Sequence, residues 1–429
     1  MRLFGTSGIR AIADREFIEL AFRVGLAIGS VYGKVVVGCD SRTTSEAMKY
    51  SLVSGLLTIG ARCSVAGLVP TPTLALAGRE FDAAAMITAS HNPPEYNGIK
   101  LLNPDGSAFN RNQREQIEDM VFNEYFPRTP WHEIKNCATY ELAIEQHIER
   151  ILQDFPAKAG LKVVIDCGCG AGSIITPSLL GRMGCETISL NCQPSGFFPH
   201  DIEPTADNLH KLMETVKDIG ADLGIAHDGD ADRMMAVDDI GRFISGDKLL
   251  TLFAREAGAK EVVTTIDASM AIDDTCLKIT RTPVGDIYVS EELKKGGEFG
   301  GEPSGSWVFP QVSLCPDGIY AAARIVAIAS RHKLSQLTDN IPDYPIIRSS
   351  INNIAAVTPE LKQRLLALEP LSVSNNDGIR LNFKDGWVLC RASGTEPKIR
   401  LTIEARTEAR LRYFYESATG IINSFVEGK

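Results

Sequence analysis

The chain has 429 residues, of which 44% are hydrophobic and 23% charged, and this composition is typical of a globular protein with roughly two to four domains. Its net charge of -10 argues against non-specific binding to nucleic acid or to a membrane surface, because both attract basic proteins, so an anionic substrate would need a local cluster of Arg and Lys. No apolar run approaches the ~20 residues of a membrane span, and the first residues lack the apolar stretch of a signal peptide, so we expect a cytoplasmic location.

The first segment has the pattern of a β-α-β unit. The run from Lys34 to Asp40 is rich in valine and predicts a strand. Thr43 and Glu46 have the spacing of a capping box, and the apolar residues that follow have helical spacing. A second apolar run, from Ala83 to Thr88, predicts the next strand.

The same alternation of strand and helix returns twice. It returns at the strand 161–166, which is followed by a glycine-rich turn, a helix ending near 184 and a strand at 186–190. It returns again with a helix at 249–256 and a strand at 262–266. Alternating strands and helices indicate parallel or mixed sheets covered by helices, so the sequence predicts three similar α/β domains.

The end of the chain has a different pattern. It predicts a helix at 359–368, strands such as 399–404 in which apolar residues alternate, and a terminal helix. This is the pattern of an α+β domain with an antiparallel sheet. The predicted domains therefore cover residues 1–138, 139–241, 242–345 and 346–429.

A polar loop follows the predicted strand that ends at Thr88. The C-terminal end of a strand is where α/β folds place reactive groups. Asparagine, two prolines and a glycine make a stiff turn that could hold Ser90 out from the scaffold, with Lys100 near it in sequence. An ordinary polar turn is the alternative interpretation. The loop reads Thr88-Ala-Ser90-His91-Asn92-Pro-Pro-Glu-Tyr-Asn97-Gly98-Ile-Lys100.

A second loop, after the apolar run 223–226, carries Asp228, Asp230 and Asp232 followed by Arg233. Three carboxylates at alternate positions would repel one another unless a cation lies among them, and oxygen ligands favour a hard ion such as Mg²⁺. The loop lacks the glycine and glutamate that an EF-hand needs at its sixth and twelfth positions. Magnesium is thus favoured over calcium, and a solvated acidic turn is the alternative.

Three further loops have weaker signals. In 300–306, Glu302 and Ser304 offer an acceptor and a donor for hydroxyls, although a plain Gly/Ser loop is the commoner explanation. In 391–398, one guanidinium, two hydroxyls and a flexible backbone suit a phosphate, although a hairpin turn would have the same composition. The N-terminal segment 5–10 offers hydroxyls and Arg10.

One segment favours another class of protein. The glycines at 168, 170 and 172 follow a strand, as in a dinucleotide-binding protein or a methyltransferase. Those folds place an acidic residue at the end of the next strand, where this chain has Leu190 and Asn191. We therefore expect these glycines to serve close packing of a helix on a strand.

Together the serine and aspartate loops resemble those of the α-D-phosphohexomutase family, and the resemblance covers essentially the whole chain. It implies four domains around a deep active-site cleft, a phosphoserine at Ser90, and a site for one Mg²⁺ formed by Ser90 and the three aspartates. It implies that Arg10, His91, Lys100 and Arg233 lie beside the reacting phosphate. The implied substrate contacts are Gly285, Asp286, Glu302 and Ser304 for the sugar and Arg391, Ser393, Gly394 and Thr395 for the non-reacting phosphate.

The mechanism implied by the resemblance moves phosphate between two positions of one sugar. Phospho-Ser90 would donate to a hexose 6-phosphate, and the hexose 1,6-bisphosphate formed would turn round and return its other phosphate. Lys100 could move the hydroxyl proton if neighbouring cations lower its pKa. A phosphatase or a silent sugar-phosphate-binding protein with the same residues is the alternative.

The sugar is suggested by a short run in the third segment. Val284-Gly285-Asp286-Ile287-Tyr288-Val289 resembles a run of phosphoglucosamine mutases, and Asp286 could bind a protonated 2-amino group. The sequence Glu302-Pro303-Ser304 is similar to archaeal members, whose specificity is often mixed. We therefore expect glucosamine 6-phosphate as the preferred substrate, with phosphomannomutase or phosphoglucomutase activity as the alternative.

Overall fold

Four β-sheets follow one another along the chain in the computed structural model, which describes residues 3–5, 8–155, 160–352, 356–392 and 398–427. The first three sheets contain parallel strand pairs and are covered by helices, and the fourth is antiparallel. The predicted fold class, three α/β domains and a final α+β domain, is confirmed. Among the described helices, none is long and apolar enough to cross a membrane.

The first sheet has six strands. Its elements are β1 (Ile9–Ile12), α1 (Arg15–Val31), β2 (Lys34–Cys39), α2 (Ser45–Thr58), β3 (Arg62–Leu68), α3 (Thr71–Ala77), β4 (Ala83–Ile87), β5 (Tyr96–Leu102), α4 (Arg111–Phe122) and β6 (Cys137–Thr139). The strand order is β1-β5-β4-β2-β3-β6, and β2 lies parallel to both β3 and β4. Strands β2 and β4 are buried and central, so polar residues that follow them are held at one edge of a rigid sheet.

The predicted capping box at Thr43 and Glu46 is wrong. Helix α2 begins at Ser45, its N-cap is Thr44 in a helical conformation, and Thr44 makes no side-chain cap hydrogen bond. The backbone N–H of Ser45 instead donates to the Arg42 carbonyl, and the Ser45 hydroxyl donates to Asp40. Local side-chain capping is replaced here by contacts to the residues that follow β2.

The second and third sheets share one continuous apolar core. Helix α10 supplies eight buried residues to this core, including Ile319 and Tyr320, and packs near the strands of the second sheet. The elements are α5 (Ala143–Asp154), β7 (Lys162–Asp166), α6 (Thr176–Arg182), β8 (Glu186–Leu190), α7 (His210–Ile219), β9 (Leu223–His227), β10 (Met234–Val237), β11 (Phe243–Ile244), α8 (Gly246–Glu256), β12 (Glu261–Thr265), β13 (Lys278–Thr282), α9 (Asp286–Leu293), β14 (Phe299–Gly301), β15 (Trp307–Val308), α10 (Gly318–Ala329) and α11 (Leu334–Asp339).

The glycine-rich turn after β7 makes a loop contact that was not predicted. A Cβ atom at Gly170 would lie 2.7 Å from the carbonyl oxygen of Gly229, and the N–H of Ala171 donates to that same oxygen at 2.8 Å. The turn therefore packs against the loop of three aspartates between β9 and β10. Glycine is needed at 170 for this loop-on-loop contact, whereas at Gly172 a Cβ would lie 3.1 Å from the His227 side chain of β9, which is the close packing on a strand that was predicted.

The fourth sheet has its own core and a separate, smaller contact with the third. Its elements are β16 (Ile346–Asn352), α12 (Pro359–Leu365), β17 (Ser372–Ser374), β18 (Ile379–Phe383), β19 (Gly386–Ala392), β20 (Lys398–Ala405) and α13 (Glu408–Glu427). The strand order is β16-β20-β19-β18-β17. Ile266 meets Trp387 and Leu389 in a small apolar cluster between the two sheets. The boundaries near 138, 241 and 345 stay predictions.

Candidate active site

The structure places Ser90 in a buried turn after β4, with 2% of its surface exposed. Its φ of 51° lies in the left-handed region, which is unusual for a residue with a side chain. Its hydroxyl donates to Asp228 Oδ2 at 2.7 Å and lies 3.3 Å from His91 Nδ1. The candidate nucleophile and the first aspartate are therefore in direct contact although they are far apart in sequence.

Three buried carboxylates lie together in the turn between β9 and β10. Asp228, Asp230 and Asp232 each offer a ligand atom, and these atoms lie within 4.8 Å of one another. Within the described part of the chain, Asp230 Oδ1 and Asp232 Oδ1 are buried and accept no hydrogen bond. Orphaned carboxylate oxygens in a buried cluster are suited to a hard cation such as Mg²⁺.

The pKa values of the three aspartates diverge. Burial, followed by the charges of Asp232 and Asp230, raises the pKa of Asp228 well above its usual value. Burial also favours the neutral form of Asp230, but the ammonium of Lys100 outweighs it and lowers the pKa of this carboxyl. The pKa values diverge because burial acts on all three carboxyls, whereas the ammonium of Lys100 outweighs it only at Asp230.

Lys100 lies between two of the carboxylates. Its Nζ donates to Asp230 Oδ2 at 2.7 Å and to Asp232 Oδ2 at 2.6 Å. Burial favours the neutral amine, but the two carboxylates outweigh burial and raise the pKa of Lys100. The condition under which Lys100 could move the hydroxyl proton is not met, because the nearest charges to the amine are negative and raise its pKa.

The other candidate basic groups surround the same turn. Arg10 donates to Asn92 Oδ1 at 2.7 Å, and its Nε is buried without a hydrogen-bond partner among the described residues. Arg233 donates from NH1 to Glu203 at 2.9 Å, and its backbone N–H donates to Asp228 Oδ1 at 3.2 Å. Both guanidinium groups thus lie beside the Ser90 and aspartate loops, where they could bind phosphate oxygens.

His91 is partly buried among these cations. Burial, followed by the charges of Arg233, Arg10 and Lys100, lowers its pKa far below the usual value for histidine. The imidazole is therefore neutral, so it adds no positive charge beside Ser90.

The sugar-loop candidates lie next to this cluster. Glu302 is buried between β14 and β15, and its Oε1 accepts a hydrogen bond from the Gly285 N–H at 2.7 Å. The hydroxyl of Ser304 lies 3.4 Å from Glu302 Oε2. Burial, followed by the charges of Asp286 and Asp267, raises the pKa of Glu302 to about 7.

Asp286 is the first residue of α9 and is adjacent to Lys100 and to the turn of three aspartates. It lines one cavity together with Lys100, Thr71 and Asp232, and its charge affects the pKa of Asp232, Arg10 and Glu302. The structure therefore brings the sugar-loop residues and the aspartate turn to the same place. A backbone bridge between Arg233 and Ser306 connects the two loops.

Arg391 lies at the end of β19, and its NH1 is 3.5 Å from Asp377 Oδ2. The same carboxylate oxygen accepts a hydrogen bond from the Val284 N–H at 3.2 Å. This part of the fourth sheet is therefore linked to the segment of the third sheet that precedes α9. Ser393, Gly394 and Thr395, predicted to bind phosphate, lie outside the described residues, as do Thr6 and Ser7.

Two side chains at the site were not predicted. Thr71, at the start of α3, donates from both its hydroxyl and its backbone N–H to Asp230. Arg42, which follows β2, donates to the carbonyl of Ser90 at 2.8 Å. Arg42 could have been found, because polar residues directly after a central parallel strand are expected near an active site.

Comparisons with known proteins match this arrangement. Four models of phosphoglucomutase/phosphomannomutase domains, the α/β/α domains I, II and III and the C-terminal domain, match residues 1–128, 144–241, 245–344 and 353–418. The chain is 48% identical, over 95% of its length and 96% of the relative, to a probable phosphoglucosamine mutase of Methanococcoides burtonii.

Two solved structures also resemble the chain. A phosphoglucomutase/phosphomannomutase family protein from Burkholderia thailandensis superposes with a TM-score of 0.88, at 27% identity over 98% of this chain and 97% of that one. An N-acetylphosphoglucosamine mutase of Aspergillus fumigatus, solved in complex with GlcNAc-6P and magnesium, superposes with a TM-score of 0.65 at 17% identity over 100% of this chain and 96% of that one. The second likeness shows the fold alone.

Proposed function

The chain belongs to the phosphoglucomutase/phosphomannomutase family and is a phosphohexomutase, and we propose that it converts glucosamine 6-phosphate to glucosamine 1-phosphate through a phosphorylated Ser90. The observation that carries the proposal is the hydrogen bond of 2.7 Å between the Ser90 hydroxyl and Asp228 within a buried group of three aspartates. A serine in such a position can carry a phosphoryl group whose charge a cation and the adjacent arginines balance.

We assign the Mg²⁺ ligands to Asp228, Asp230, Asp232 and phosphorylated Ser90. The two orphaned carboxylate oxygens support this assignment, and the relative from Aspergillus fumigatus was solved with magnesium. When bound, Mg²⁺ would balance the charge of the transferring phosphoryl group.

The surrounding side chains bind and orient the reacting groups. Arg10 and Arg233 donate to phosphate oxygens, and Lys100 holds the carboxylates of Asp230 and Asp232 in fixed positions. The bond between Ser90 Oγ and phosphorus breaks as the C1 oxygen of the sugar 6-phosphate binds the phosphorus, and the proton of the C1 hydroxyl ends on the Ser90 Oγ that is released. The hexose 1,6-bisphosphate turns, and its 6-phosphate returns to Ser90, while Arg391 binds the phosphate that does not react.

The preference for an amino sugar is supported by the charges around Glu302. Asp267 and Asp286 are like charges that raise its pKa, and Arg233 is the opposing charge. A protonated amino group would balance this acidic group, and a charge-assisted hydrogen bond contributes roughly 1.5–3 kcal/mol, which is about tenfold or more in selectivity. The relative from Methanococcoides burtonii carries the name of the same activity.

Two measurements test the proposal. Intact mass and peptide mapping should find phosphate on Ser90 in the purified protein, and Ser90→Ala should abolish most turnover with its melting temperature nearly unchanged. Phosphate found reproducibly on another residue would contradict the assignment of Ser90. For the sugar, kcat/KM on glucosamine, mannose and glucose phosphates should be highest for glucosamine 6-phosphate, and a clear preference for another sugar would overturn the choice.

A further inference from the structure

Arg42 is a buried side chain, 3% exposed, that lies between β2 and α2 on the inner side of the Ser90 loop. Its guanidinium has five N–H groups, and each has an acceptor. Nε donates to Asp40 Oδ2 at 3.2 Å, NH1 to the carbonyls of Pro93 at 2.7 Å and Tyr96 at 2.9 Å, and NH2 to the carbonyls of Ser90 at 2.8 Å and Asn92 at 2.6 Å.

The four carbonyls belong to a single short segment, residues 90–96. One planar, rigid group therefore binds the backbone of the whole turn that presents Ser90. A lysine in this place would have three donors on one nitrogen and could not reach four carbonyls in different directions. The contact is specific to the shape of a guanidinium, not to its charge alone.

The conformation of Ser90 needs such support. A non-glycine residue at a φ of 51° is held against its own preference, so surrounding contacts must fix it. The Ser90 N–H donates to Thr88 Oγ1 at 2.9 Å, while the Ser90 carbonyl accepts from Arg42. Thr88 in turn donates to Asp40, and Arg42 donates to the same carboxylate. The N–H and the carbonyl of Ser90 are therefore both held by groups that bind Asp40.

The need for support is greatest when Ser90 carries phosphate. The bond from the Ser90 hydroxyl to Asp228 requires a proton that a phosphate ester lacks, and the phosphoryl charge would repel the carboxylate whenever no cation lies between them. The loop would move away unless its backbone is held independently of that bond. Arg42 provides such a contact, and the ring of Phe198 covers its guanidinium at 5.1 Å.

We propose that Arg42 is a positioning residue for phosphoryl transfer, which holds the Ser90 backbone so that the phosphoryl group stays aligned between the aspartates and the sugar. The proposal rests on the proposed role of Ser90 as the phosphate carrier. Arg42 does not touch the phosphate; it acts through the loop. A displacement of ~1 Å at a reacting atom can lower a rate by about 100-fold, so a small loosening of the turn is sufficient.

The test compares Arg42→Lys with wild type in kcat, KM, melting temperature and phosphate on Ser90 after incubation with glucose 1,6-bisphosphate. We expect kcat to fall about 100-fold, KM to stay within about threefold and the folded structure to persist. The matched control is Arg380→Lys, because Arg380 is 4% exposed and also donates to a backbone carbonyl, that of Ile266, far from Ser90 in the chain. It should lower the melting temperature but leave kcat within about twofold.

The outcomes separate the two proposals. If wild type has no mutase turnover and no phosphate on Ser90, the proposed function fails whatever Arg42 does. If wild type is active and Arg42→Lys keeps more than half of its kcat, or loses kcat and melting temperature together as a general loss of folding, the positioning role is overturned. If Arg42→Lys does not fold, Thr88→Val is measured instead, because it removes the contact of the Ser90 N–H with Thr88 and the contact of Thr88 with Asp40. A selective fall in kcat supports the positioning of the Ser90 backbone by this buried group, and an unchanged kcat overturns it.

Discussion

Two buried carboxylates of the site, Asp230 and Glu302, have pKa shifts in opposite directions. Both are removed from solvent, and burial alone raises the pKa of each. Asp230 has the ammonium of Lys100 at 2.7 Å, and its pKa falls. Glu302 has Asp286 and Asp267 as like charges, and its pKa rises to about 7. Burial therefore raises the pKa of both acids, and a neighbouring cation reverses its effect only at Asp230.

The opposite pKa shifts of Asp230 and Glu302 suggest different roles for the two regions in which they lie. At the proposed reaction centre the chain supplies its own cations, Lys100, Arg10 and Arg233, and the pKa of Asp230 is lowered before any substrate binds. In the proposed sugar pocket, burial and the like charges of Asp286 and Asp267 raise the pKa of Glu302, and a cationic substrate group would lower it. We therefore expect the first region to stabilise the transferring charge and the second to select the sugar.

The largest expected effect is from removing the charge of Asp230. Asp230→Asn keeps an acceptor for Thr71 and Lys100 but removes a proposed metal ligand, so kcat should fall by about 10²–10³, as for groups that stabilise transition-state charge. Steady-state kinetics with and without a chelator check this. The control is Asp238→Asn, which is equally buried but pairs with Arg242 in the next turn. Chelator-treated wild type that stayed fully active would contradict the metal role.

Arg391 extends the comparison to a side chain that is proposed to bind the phosphate that does not react. Arg391→Ala should raise KM roughly 10–100-fold with a smaller change in kcat, because a bond to the non-reacting phosphate is made equally in the ground and transition states. Arg400→Ala is the control, since Arg400 lies opposite Arg391 on the next strand and is exposed. An unchanged KM would remove Arg391 from the substrate site.

Asp286 tests the acidic pocket directly. Asp286→Asn should lower the ratio of kcat/KM for glucosamine 6-phosphate to that for glucose 6-phosphate about tenfold, because the amide cannot balance the ammonium charge. Glu291→Gln, an exposed change on the same helix, should leave the ratio unaltered. An amino-sugar preference that survives the change at Asp286 would exclude this carboxylate from the explanation.

The sequence was a better guide to strands and loops than to the contacts between them. The strand predicted at 34–40 is β2, Lys34–Cys39, because a run of β-branched residues defines it locally. The bonds from Ser90 to Asp228 and from Thr71 to Asp230 join residues 138 and 159 positions apart, and no local pattern indicates them. The capping box was wrong for the same reason, since Ser45 is bound by Asp40 rather than by its own helix.

The sequence predicted which charged residues lie at the site, but not the direction of their pKa shifts. The sequence identified Lys100 as a basic residue near Ser90, and a lowered pKa would follow if its neighbours were cations. The fold instead places it against Asp230 and Asp232, two residues from another sheet, so the sign of the shift depends on tertiary contacts. Asp286 and Glu302 were predicted as sugar contacts, but their mutual repulsion requires the geometry of two separate loops.

The smallest expected effect is a pH dependence of stability at Glu302. Its pKa in the folded protein, about 7, is above its ordinary value of 4.5, so the folded state holds a proton that the unfolded state has released between these values. The stabilising contribution of the neutral carboxyl is fully present below pH 4.5 and is lost as pH rises through 7. Relative to Glu302→Gln, wild type should therefore lose roughly 2–3 kcal/mol between about pH 5 and about pH 8, a shift of a few degrees in Tm. Thermal melts of both proteins across this range measure it, and parallel curves would show that Glu302 does not titrate there.

Addition of glucosamine 6-phosphate sharpens the comparison with Asp230. An ammonium bound beside Glu302 would lower the pKa of this carboxyl, as Lys100 lowers the pKa of Asp230. The pH-dependent difference in stability should therefore shrink with glucosamine 6-phosphate and persist with glucose 6-phosphate.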